Sequence, residues 1–278
     1  MQRLAMTVLF LFLTSPAWAQ TWSFGVLPQR NAVLTAQYWN PILDYVSKKS
    51  GVTLELKTKK TSLEYSEAEA QSEFDFVYSN HIFMPSHAAA AYRVMARSAG
   101  KPIHGQIVVP EASPLRSLRE LEGQEVGFPS KNAFIAYAAP MSALILARVT
   151  VSPVLGGSQE GIMAQLNAGQ IPAAGVHSKV MQEYAEREGF RYRVLWSSED
   201  YLDLPVAAHP RVPRQVAKAV REALLGMATD AEGLKILAAS AAIIKQEPPW
   251  GFRPAQDAEY RNHREVYRFL WKKEARGV

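Results

Sequence analysis

Short apolar runs alternate with longer segments of helical periodicity through most of this chain. The apolar runs predict β-strands at Trp22–Leu27, Val52–Lys57, Phe74–Tyr78, Gly105–Val109, Glu125–Phe128, Pro172–Val176, Tyr192–Trp196 and Pro205–Ala208. The intervals predict helices at Thr35–Ser50, Ser62–Gln71, Asn80–Ala91, Ser117–Leu121, Asn132–Ala147, Ser158–Ala168, Lys179–Glu188 and Arg214–Met227, and the chain from Arg253 onward also has a helical pattern. This alternation predicts an α/β fold with mixed sheets flanked by helices.

Local signals support several of these boundaries. Ser117 and Glu120 have the spacing of a capping box, and Gly123 follows where that short helix should end. Ser158 is a suitable N-cap for its helix, and Pro213 lies where a helix can begin without losing a hydrogen bond. No long flexible linker interrupts the pattern, so we expect any two lobes to be joined by structured segments.

The N-terminus has the features of a secretory signal peptide. A positive start at Arg3 precedes an apolar run from Leu4 to Leu13, and the small-residue site Ala17-Trp18-Ala19 follows it. The apolar run is shorter than the roughly 20 residues that a membrane-spanning helix needs. We therefore expect residues 1–19 to be removed and the protein to be exported. The chain has no cysteine, which excludes disulfides and an acylated-cysteine anchor.

Composition and charge narrow the possible partners. Hydrophobic residues make up 48% of the chain and charged residues 21%, which is typical of a globular protein. The formal charge of +5 is compatible with an anionic ligand. The basic residues between Arg261 and Arg276 are interrupted by Glu265 and Glu274, which is typical of the wet face of a helix. We therefore do not expect a nucleic-acid partner.

The common catalytic and metal-binding motifs are absent from the sequence. It contains no cysteine nucleophile, no Gly-x-Ser-x-Gly elbow and no phosphate loop. The six histidines are scattered, and the spacing of His81 and His87 does not place both on one helical face. We expect no metal, no cofactor and no enzymatic activity, with His177 as the only thin candidate for acid–base chemistry.

A repeated unit of apolar strand, polar turn and helix start is the strongest functional feature. It occurs where strands run into Ser79-Asn80-His81, Pro129-Ser130-Lys131-Asn132, Gly156-Gly157-Ser158-Gln159 and His177-Ser178. In open α/β sheets, ligands bind beyond the carboxyl ends of the strands. Helix starts at that edge supply free N–H donors, which suit carboxylate, phosphate or sulfate. These turns therefore predict a cleft for a small anion.

Several segments resemble type II periplasmic solute-binding proteins, in particular the branch that binds phosphate, phosphite and phosphonate for ABC transporters. The segments that carry the resemblance are Phe24-Gly25-Val26-Leu27-Pro28, residues 38–52, Phe74-Asp75-Phe76-Val77, residues 157–177 and, most specifically, Ser117-Leu118-Arg119-Glu120-Leu121-Glu122-Gly123-Gln124-Glu125-Val126-Gly127-Phe128. Together they cover nearly the whole chain after the predicted signal peptide.

The resemblance implies two α/β lobes joined by two crossing segments that act as a hinge. Lobe 1 would comprise residues 20–107 and 202–278, and lobe 2 residues 108–201. It also implies a monomer in the periplasm that closes around a solute and delivers it to an ABC transporter permease. The alternative is a ligand-sensing subunit that signals to a membrane histidine kinase.

The resemblance also implies a set of ligand contacts on both lobes. They are Gln29, Arg30, Tyr38, Ser79, Asn80 and His81 on lobe 1, and Ser130, Lys131, Asn132, Tyr137, Ser158 and His177 on lobe 2. The segment from Ser130 to Phe134 stands where phosphonate binders present a turn rich in Ser and Thr. Phosphate-like oxyanions and small organic acids therefore both remain open as ligands.

Overall fold

The computed structural model describes residues 20–275, so the predicted signal peptide lies outside the described residues. The strands are β1 Thr21–Val26, β2 Thr53–Lys57, β3 Phe76–Tyr78, β4 Arg93–Ser98, β5 Gly105–Pro110, β6 Glu125–Phe128, β7 Ser152–Leu155, β8 Ala173–His177, β9 Tyr192–Ser197, β10 Pro205–Ala208 and β11 Phe252–Pro254. The α-helices are α1 Ala32–Ser50, α2 Ser62–Ala70, α3 Ala139–Leu146, α4 Gln159–Asn167, α5 Ser178–Glu188, α6 Arg214–Gly226, α7 Ala231–Ile243 and α8 Arg261–Glu274.

The strands form two separate mixed sheets. The first has the order β11-β4-β10-β3-β1-β2, with β1 parallel to β2 and β3, and β10 antiparallel to β3 and β4. The second has the order β7-β6-β8-β5-β9, with β6 parallel to β7 and β8, and β5 antiparallel to β8 and β9. The predicted α/β class with mixed sheets is confirmed.

The chain crosses between the two sheets twice. It leaves the first sheet at Ser98, enters the second at Gly105, and returns to the first at Pro205. Ile103 and Tyr201 join the two crossing segments through reciprocal N–H···O bonds of 2.8 and 2.7 Å. The predicted lobe boundary after residue 107 would divide β5, and that strand pairs entirely within the second sheet. The first change of sheet therefore lies before Gly105.

Helix α1 shows how an apolar stripe fixes the first sheet. Its buried side chains include Trp39, Ile42, Leu43 and Val46, which recur at the spacing of one helical face. The Trp39 ring lies 5.3 Å from the ring of Phe24 on β1. Burial of each such side chain stabilises the fold by about 1.5–3 kcal/mol. Because α1 is held this firmly, the residues at its first turn have fixed positions at the edge of the sheet.

Two predicted helices differ from the structure. The segment predicted as a helix at residues 80–91 forms two 3-10 turns, His81–Phe83 and Pro85–Ala90, because Pro85 cannot donate the amide hydrogen that a continuing helix needs. The segment predicted as a helix at residues 132–147 begins with a π-helical turn at Phe134–Ala138 before α3 starts. Helix α7 and strand β4 were not predicted, and β11 occupies the start of the segment predicted as helical from Arg253.

Glycines on the second sheet allow the π-helical turn to pack closely. A Cβ atom at Gly105 on β5 would lie 2.2 Å from the carbonyl oxygen of Ile135, and one at Gly175 on β8 would lie 2.5 Å from that of Ala136. Neither distance is compatible with a side chain, so both positions require glycine. This contact sets the turn directly against the sheet, at the edge where the polar turns lie.

Candidate functional site

The carboxyl ends of strands from both sheets face one cleft, which contains two adjoining compartments. Each compartment has a volume of about 60 Å³. Both are lined by Leu27, Gln29, Ile103 and His177, so they lie side by side. We call the first the polar compartment; its other lining side chains include Ser62, Asn80, His81, Ser130, Ser158 and Gln159. We call the second the aromatic compartment; its other lining side chains include Arg30, Tyr38, Trp39, Tyr78, Lys179, Asp203 and Gln246.

The N-terminus of α4 forms one wall of the polar compartment. Ser158 caps the helix, because its side chain accepts a hydrogen bond of 3.0 Å from the N–H of Gly161. The Gln159 side chain accepts a 3.4 Å hydrogen bond from the N–H of His177, which connects α4 to the end of β8. The partial positive charge at a helix N-terminus favours a negative group.

Two polar atoms on opposite sides of this compartment lack hydrogen-bond partners within residues 20–275. They are Oδ1 of Asn80, which follows β3, and Oγ of Ser130, which follows β6, and both atoms are buried. A buried polar group without a partner costs about 1–3 kcal/mol. A bound ligand or a water molecule that hydrogen-bonds to both atoms would remove this cost.

His177 is placed as a neutral hydrogen-bond donor between the compartments. Its Nδ1 accepts a 3.2 Å hydrogen bond from the N–H of Lys179, so the proton of the neutral ring is on Nε2. Burial, followed by the charges of Arg30 and Lys179, lowers the pKa of His177 to about 3. The imidazole is therefore neutral at neutral pH and keeps an N–H that can donate to a ligand.

Aromatic rings and a glutamine form the wall of the aromatic compartment. The ring of Trp39 lies 4.8 Å from that of Tyr78 and 5.5 Å from that of Tyr38. The Tyr38 hydroxyl donates a 3.0 Å hydrogen bond to Oε1 of Gln246 in the segment after α7. Burial raises the pKa of Tyr38 to about 12, so its hydroxyl stays protonated.

The charges of the aromatic compartment are balanced across the cleft. A nitrogen of Arg30, which follows β1, lies 3.7 Å from a carboxylate oxygen of Glu183. Glu183 is on α5, which packs against β8 of the second sheet. Nζ of Lys179 lies 3.9 Å from the other oxygen of Glu183. Asp203, in the second crossing segment, is a further acid on this wall, and burial raises its pKa. Arg30 therefore already has an anionic partner from the opposite side of the cleft.

Most of the predicted ligand contacts lie in this cleft. Those that line it are Gln29, Arg30, Tyr38, Asn80 and His81 from the first sheet, and Ser130, Ser158 and His177 from the second. Ser79 is buried behind the cleft wall, where its side chain accepts a 3.1 Å hydrogen bond from the N–H of His81.

Three predicted contacts lie elsewhere. Asn132 does not line either compartment, and its carbonyl oxygen accepts a 3.2 Å hydrogen bond from the Tyr267 hydroxyl of α8. Lys131 and Tyr137 line a separate cavity between α3 and α8. Lys131, Asn132 and Tyr137 lie outside the cleft because the chain changes direction after Ser130. The π-helical turn that follows presents Ile135 and Ala136 to the cleft, and not Tyr137.

Sequence reasoning did not select several of the cleft residues. Gln159 could have been found, because it is the first residue of the helix that Ser158 caps. Tyr78, the last residue of the strand predicted at Phe74–Tyr78, was not selected, although it lines the aromatic compartment. Lys179, Asp203 and Gln246 belong to no motif and lie far apart in the chain, so only the fold brings them together.

Within residues 20–275, the structure contains no group of three or more His, Asp or Glu side chains suited to a metal ion. In the same part of the chain, no helix has both the length and the apolar character that crossing a membrane requires.

Comparison with solved structures identifies the fold. A binding protein component of an ABC phosphonate transporter from Pseudomonas aeruginosa has a TM-score of 0.77 and 15% identity, with 93% of this chain and 89% of that chain covered. PhnD1 from Prochlorococcus marinus, solved in complex with methylphosphonate, has a TM-score of 0.75 and 18% identity over 91% and 98% of the chains. A protein from Xanthomonas citri bound to chloride ion has a TM-score of 0.74 and 15% identity over 92% and 99%. These similarities confirm a two-lobed periplasmic binding protein fold.

Comparison with curated protein sequences gave no match. The family model described as "ABC transporter, phosphonate, periplasmic substrate-binding protein" matches residues 24–260, which is most of the chain. This match agrees with the resemblance seen in the sequence, and it implies a periplasmic location and a transport partner. The chain therefore belongs to the periplasmic substrate-binding proteins of phosphonate ABC transporters, and it is a binding component and not an enzyme.

Proposed function

We propose that this protein binds a phosphonate or a closely related small oxyanion in the polar compartment and delivers it to an ABC transporter permease. The observation that carries the proposal is the pair of unpartnered buried atoms, Asn80 Oδ1 and Ser130 Oγ, beside the N-terminus of α4. A phosphonate monoanion can satisfy both, because its P–O–H group donates to the acceptor Oδ1 of Asn80 and its charged oxygen accepts from the Ser130 hydroxyl. The two atoms come from opposite sheets, so a ligand between them would hold the lobes together. The complex of the structurally similar PhnD1 with methylphosphonate supports this ligand class.

The electrostatics of the polar compartment suit an anion that is held by dipoles. Its lining side chains are neutral at neutral pH, including His81, whose pKa burial lowers to about 3. Neutral N–H and O–H donors, together with a helix N-terminus, can bind a small anion without a buried countercharge. Arg30 and Lys179 lie in the neighbouring aromatic compartment, where Glu183 and Asp203 offset their charges, so the dipoles of the polar compartment carry the proposed recognition.

Closure of the lobes around the ligand is the proposed mechanism. The two crossing segments, joined at Ile103 and Tyr201, are the hinge, and Ile103 lines both compartments. A ligand that contacts Asn80 on one side and Ser130 on the other binds more tightly to the closed state than to the open state. It therefore shifts the population towards closure, which is the form that the permease would recognise.

The experiment is a binding titration and thermal-shift measurement with protein that has been unfolded and refolded to remove carried ligand. Methylphosphonate, phosphate, sulfate and acetate are compared. A ligand at about 100 times its Kd stabilises the folded state by about 2.7 kcal/mol. This corresponds to an increase in Tm of about 5–10 °C for a chain of this size. An increase with methylphosphonate that exceeds that with acetate supports the proposal, and no increase with any oxyanion contradicts it.

Two substitutions locate the binding site. His177→Ala and Ser158→Ala remove groups that line the polar compartment, and each should weaken methylphosphonate binding by about tenfold, since hydrogen bonds to charged groups contribute about 1.5–3 kcal/mol. His209→Ala is the matched control, because His209 lies at the opposite end of the first sheet, beside Asp75. Equal binding by His177→Ala and His209→Ala would contradict the site.

Transport and sensing are separated by the partner protein. Addition of the ligand-bound protein to its cognate permease in membranes should stimulate ATP hydrolysis if the protein serves transport. Stimulation of a membrane histidine kinase without any effect on a permease would support the sensory alternative. A monomer in solution stays a prediction, which light scattering can test.

A further inference from the structure

A third cavity adjoins the aromatic compartment beside the hinge. It has a volume of about 440 Å³, compared with about 60 Å³ for each compartment of the cleft. Ile103, Lys179, Asp203 and Gln246 line both this cavity and the aromatic compartment. We call it the hinge-side cavity; its other lining residues include Lys101, His104, Gln106, Ser178, Gln182 and Glu247.

The three spaces adjoin one another in series, from the polar compartment through the aromatic compartment to the hinge-side cavity. The polar and aromatic compartments share one set of lining residues, and the aromatic compartment and the hinge-side cavity share another. The cleft compartments have room for an oxyanion head group and little more. A volume of 300–1,000 Å³ is typical of a small-molecule site, and only the hinge-side cavity of these three reaches it.

The chemistry of the hinge-side cavity indicates what could occupy it. Its basic side chains, Lys101 and Lys179, are matched by the acidic side chains Asp203 and Glu247, so it favours neither an additional cation nor an additional anion. Oε1 of Gln106 is buried and has no hydrogen-bond partner in the described part of the chain. The cavity therefore offers acceptors and donors to an uncharged polar group, whereas an alkyl chain would leave them without partners.

We propose that the hinge-side cavity is a subsite for an uncharged, hydroxyl-bearing substituent of the ligand, whose oxyanion head lies in the polar compartment. The natural ligand would then be a phosphonate with a hydroxylated substituent of several carbons. This inference rests on the proposed function, because it takes the oxyanion position from it. It also makes the hinge part of the recognition surface, since Gln106 on β5 and Asp203 on the second crossing segment belong to that region.

The test compares three phosphonates with the same head group: methylphosphonate, pentylphosphonate and 2,3,4,5-tetrahydroxypentylphosphonate. Isothermal titration with the refolded full chain should give a Kd for the tetrahydroxylated compound that is at least tenfold lower than for the other two. Equal affinity for methylphosphonate and the tetrahydroxylated compound would overturn the inference and leave the proposed function standing. Binding of none of the three would contradict the proposed function itself.

Two variants connect the affinity gain to this cavity. Gln106→Leu removes the unpartnered acceptor with little change in size, and Gln182→Trp places a large ring over the cavity from an exposed position on α5. Each should reduce the affinity for the tetrahydroxylated compound by about fivefold or more and change that for methylphosphonate by less than twofold. Glu186→Trp, at another exposed position of α5, is the control for a bulky substitution on that helix. A loss of affinity for both ligands in equal measure would contradict the subsite.

Discussion

Replacement of Glu69 by glutamine should change the pH dependence of stability. Glu69 is on α2, is fully buried and lies behind the wall of the polar compartment. A basic side chain beside it is His87, whose Nε2 is 3.8 Å from the Glu69 carboxyl group. That Nε2 donates a 2.9 Å hydrogen bond to the carbonyl oxygen of Ser66, and burial lowers the pKa of His87, which favours the neutral ring. Burial raises the pKa of Glu69 to about 8.

The magnitude follows from the difference between the folded and unfolded pKa values. The unfolded carboxyl group ionises near its usual value of 4.5, whereas the folded one stays protonated until about pH 8. The folded state therefore binds more protons between these values, and its stability falls as the pH rises through this window. From pH 5.5 to pH 7.5, with 1.36 kcal/mol per pKa unit, this loss is about 2.5 kcal/mol. Glutamine cannot ionise, so the stability of Glu69→Gln should not include this pH-dependent loss.

The assay is urea unfolding, followed by circular dichroism, of the unmodified protein and Glu69→Gln at pH 5.5 and 7.5. Other groups titrate in both proteins, so the informative quantity is the change with pH of the difference between them. We expect Glu69→Gln to gain about 2.5 kcal/mol relative to the unmodified protein over this interval, or about 5–10 °C in Tm. Glu67→Gln, at an exposed position of the same helix, is the control. A pH-independent difference for Glu69→Gln would refute the assignment of a buried neutral acid.

Two further predictions concern the cleft and the packing beneath it. Glu183→Gln removes the carboxylate that pairs with Arg30 across the cleft. Titration of this variant should show a two- to fivefold increase in affinity for methylphosphonate. The control is Glu186→Gln, at an exposed position of the same helix, which should leave that affinity unchanged. Gly105→Ala forces a Cβ atom against the carbonyl oxygen of Ile135. In urea unfolding, this substitution should destabilise the protein by about 1–3 kcal/mol. Gly226→Ala is the control and should not destabilise the protein, because the space around Gly226 is open.

The fold was predictable because its signals are local. Strands β6 and β10 have the predicted boundaries, and the capping box of Ser117 and Glu120 is present in the structure. The errors occurred where a local signal was weak or misread. Strand β11 has only three residues, and the Ala-rich helix α7 was not recognised, although Asp230 caps it by accepting a hydrogen bond from the N–H of Gly233.

The site was only partly predictable, because its residues depend on contacts between distant segments. A turn that follows a strand can be identified in the sequence, and this rule selected Asn80, Ser130 and His177, which line the cleft. The same rule cannot tell which side chains of the turn face the cleft. It selected Lys131 as well as Ser130, and the structure places Lys131 in a separate cavity. Asp203 lies in a crossing segment and follows no parallel strand, so no rule about strand ends could select it.

The hydroxyl groups that line the polar compartment help to decide between the two ligand classes that the sequence left open, phosphate-like oxyanions and small organic acids. The segment from Ser130 to Phe134 lacks the Ser- and Thr-rich turn of phosphonate binders, which kept small organic acids as an equal alternative. In the structure, the polar compartment takes its hydroxyl groups from three separate elements: Ser62 at the start of α2, Ser130 after β6 and Ser158 at the start of α4. A single turn is therefore not required to surround an oxyanion with donors, and the composition of that turn is no argument against phosphonate. A tetrahedral oxyanion has acceptors in several directions, which donors from three elements can satisfy together, whereas the planar carboxylate of acetate has only two oxygens to offer. The dispersed arrangement of hydroxyl groups thus favours a tetrahedral oxyanion, such as a phosphonate, over a planar carboxylate.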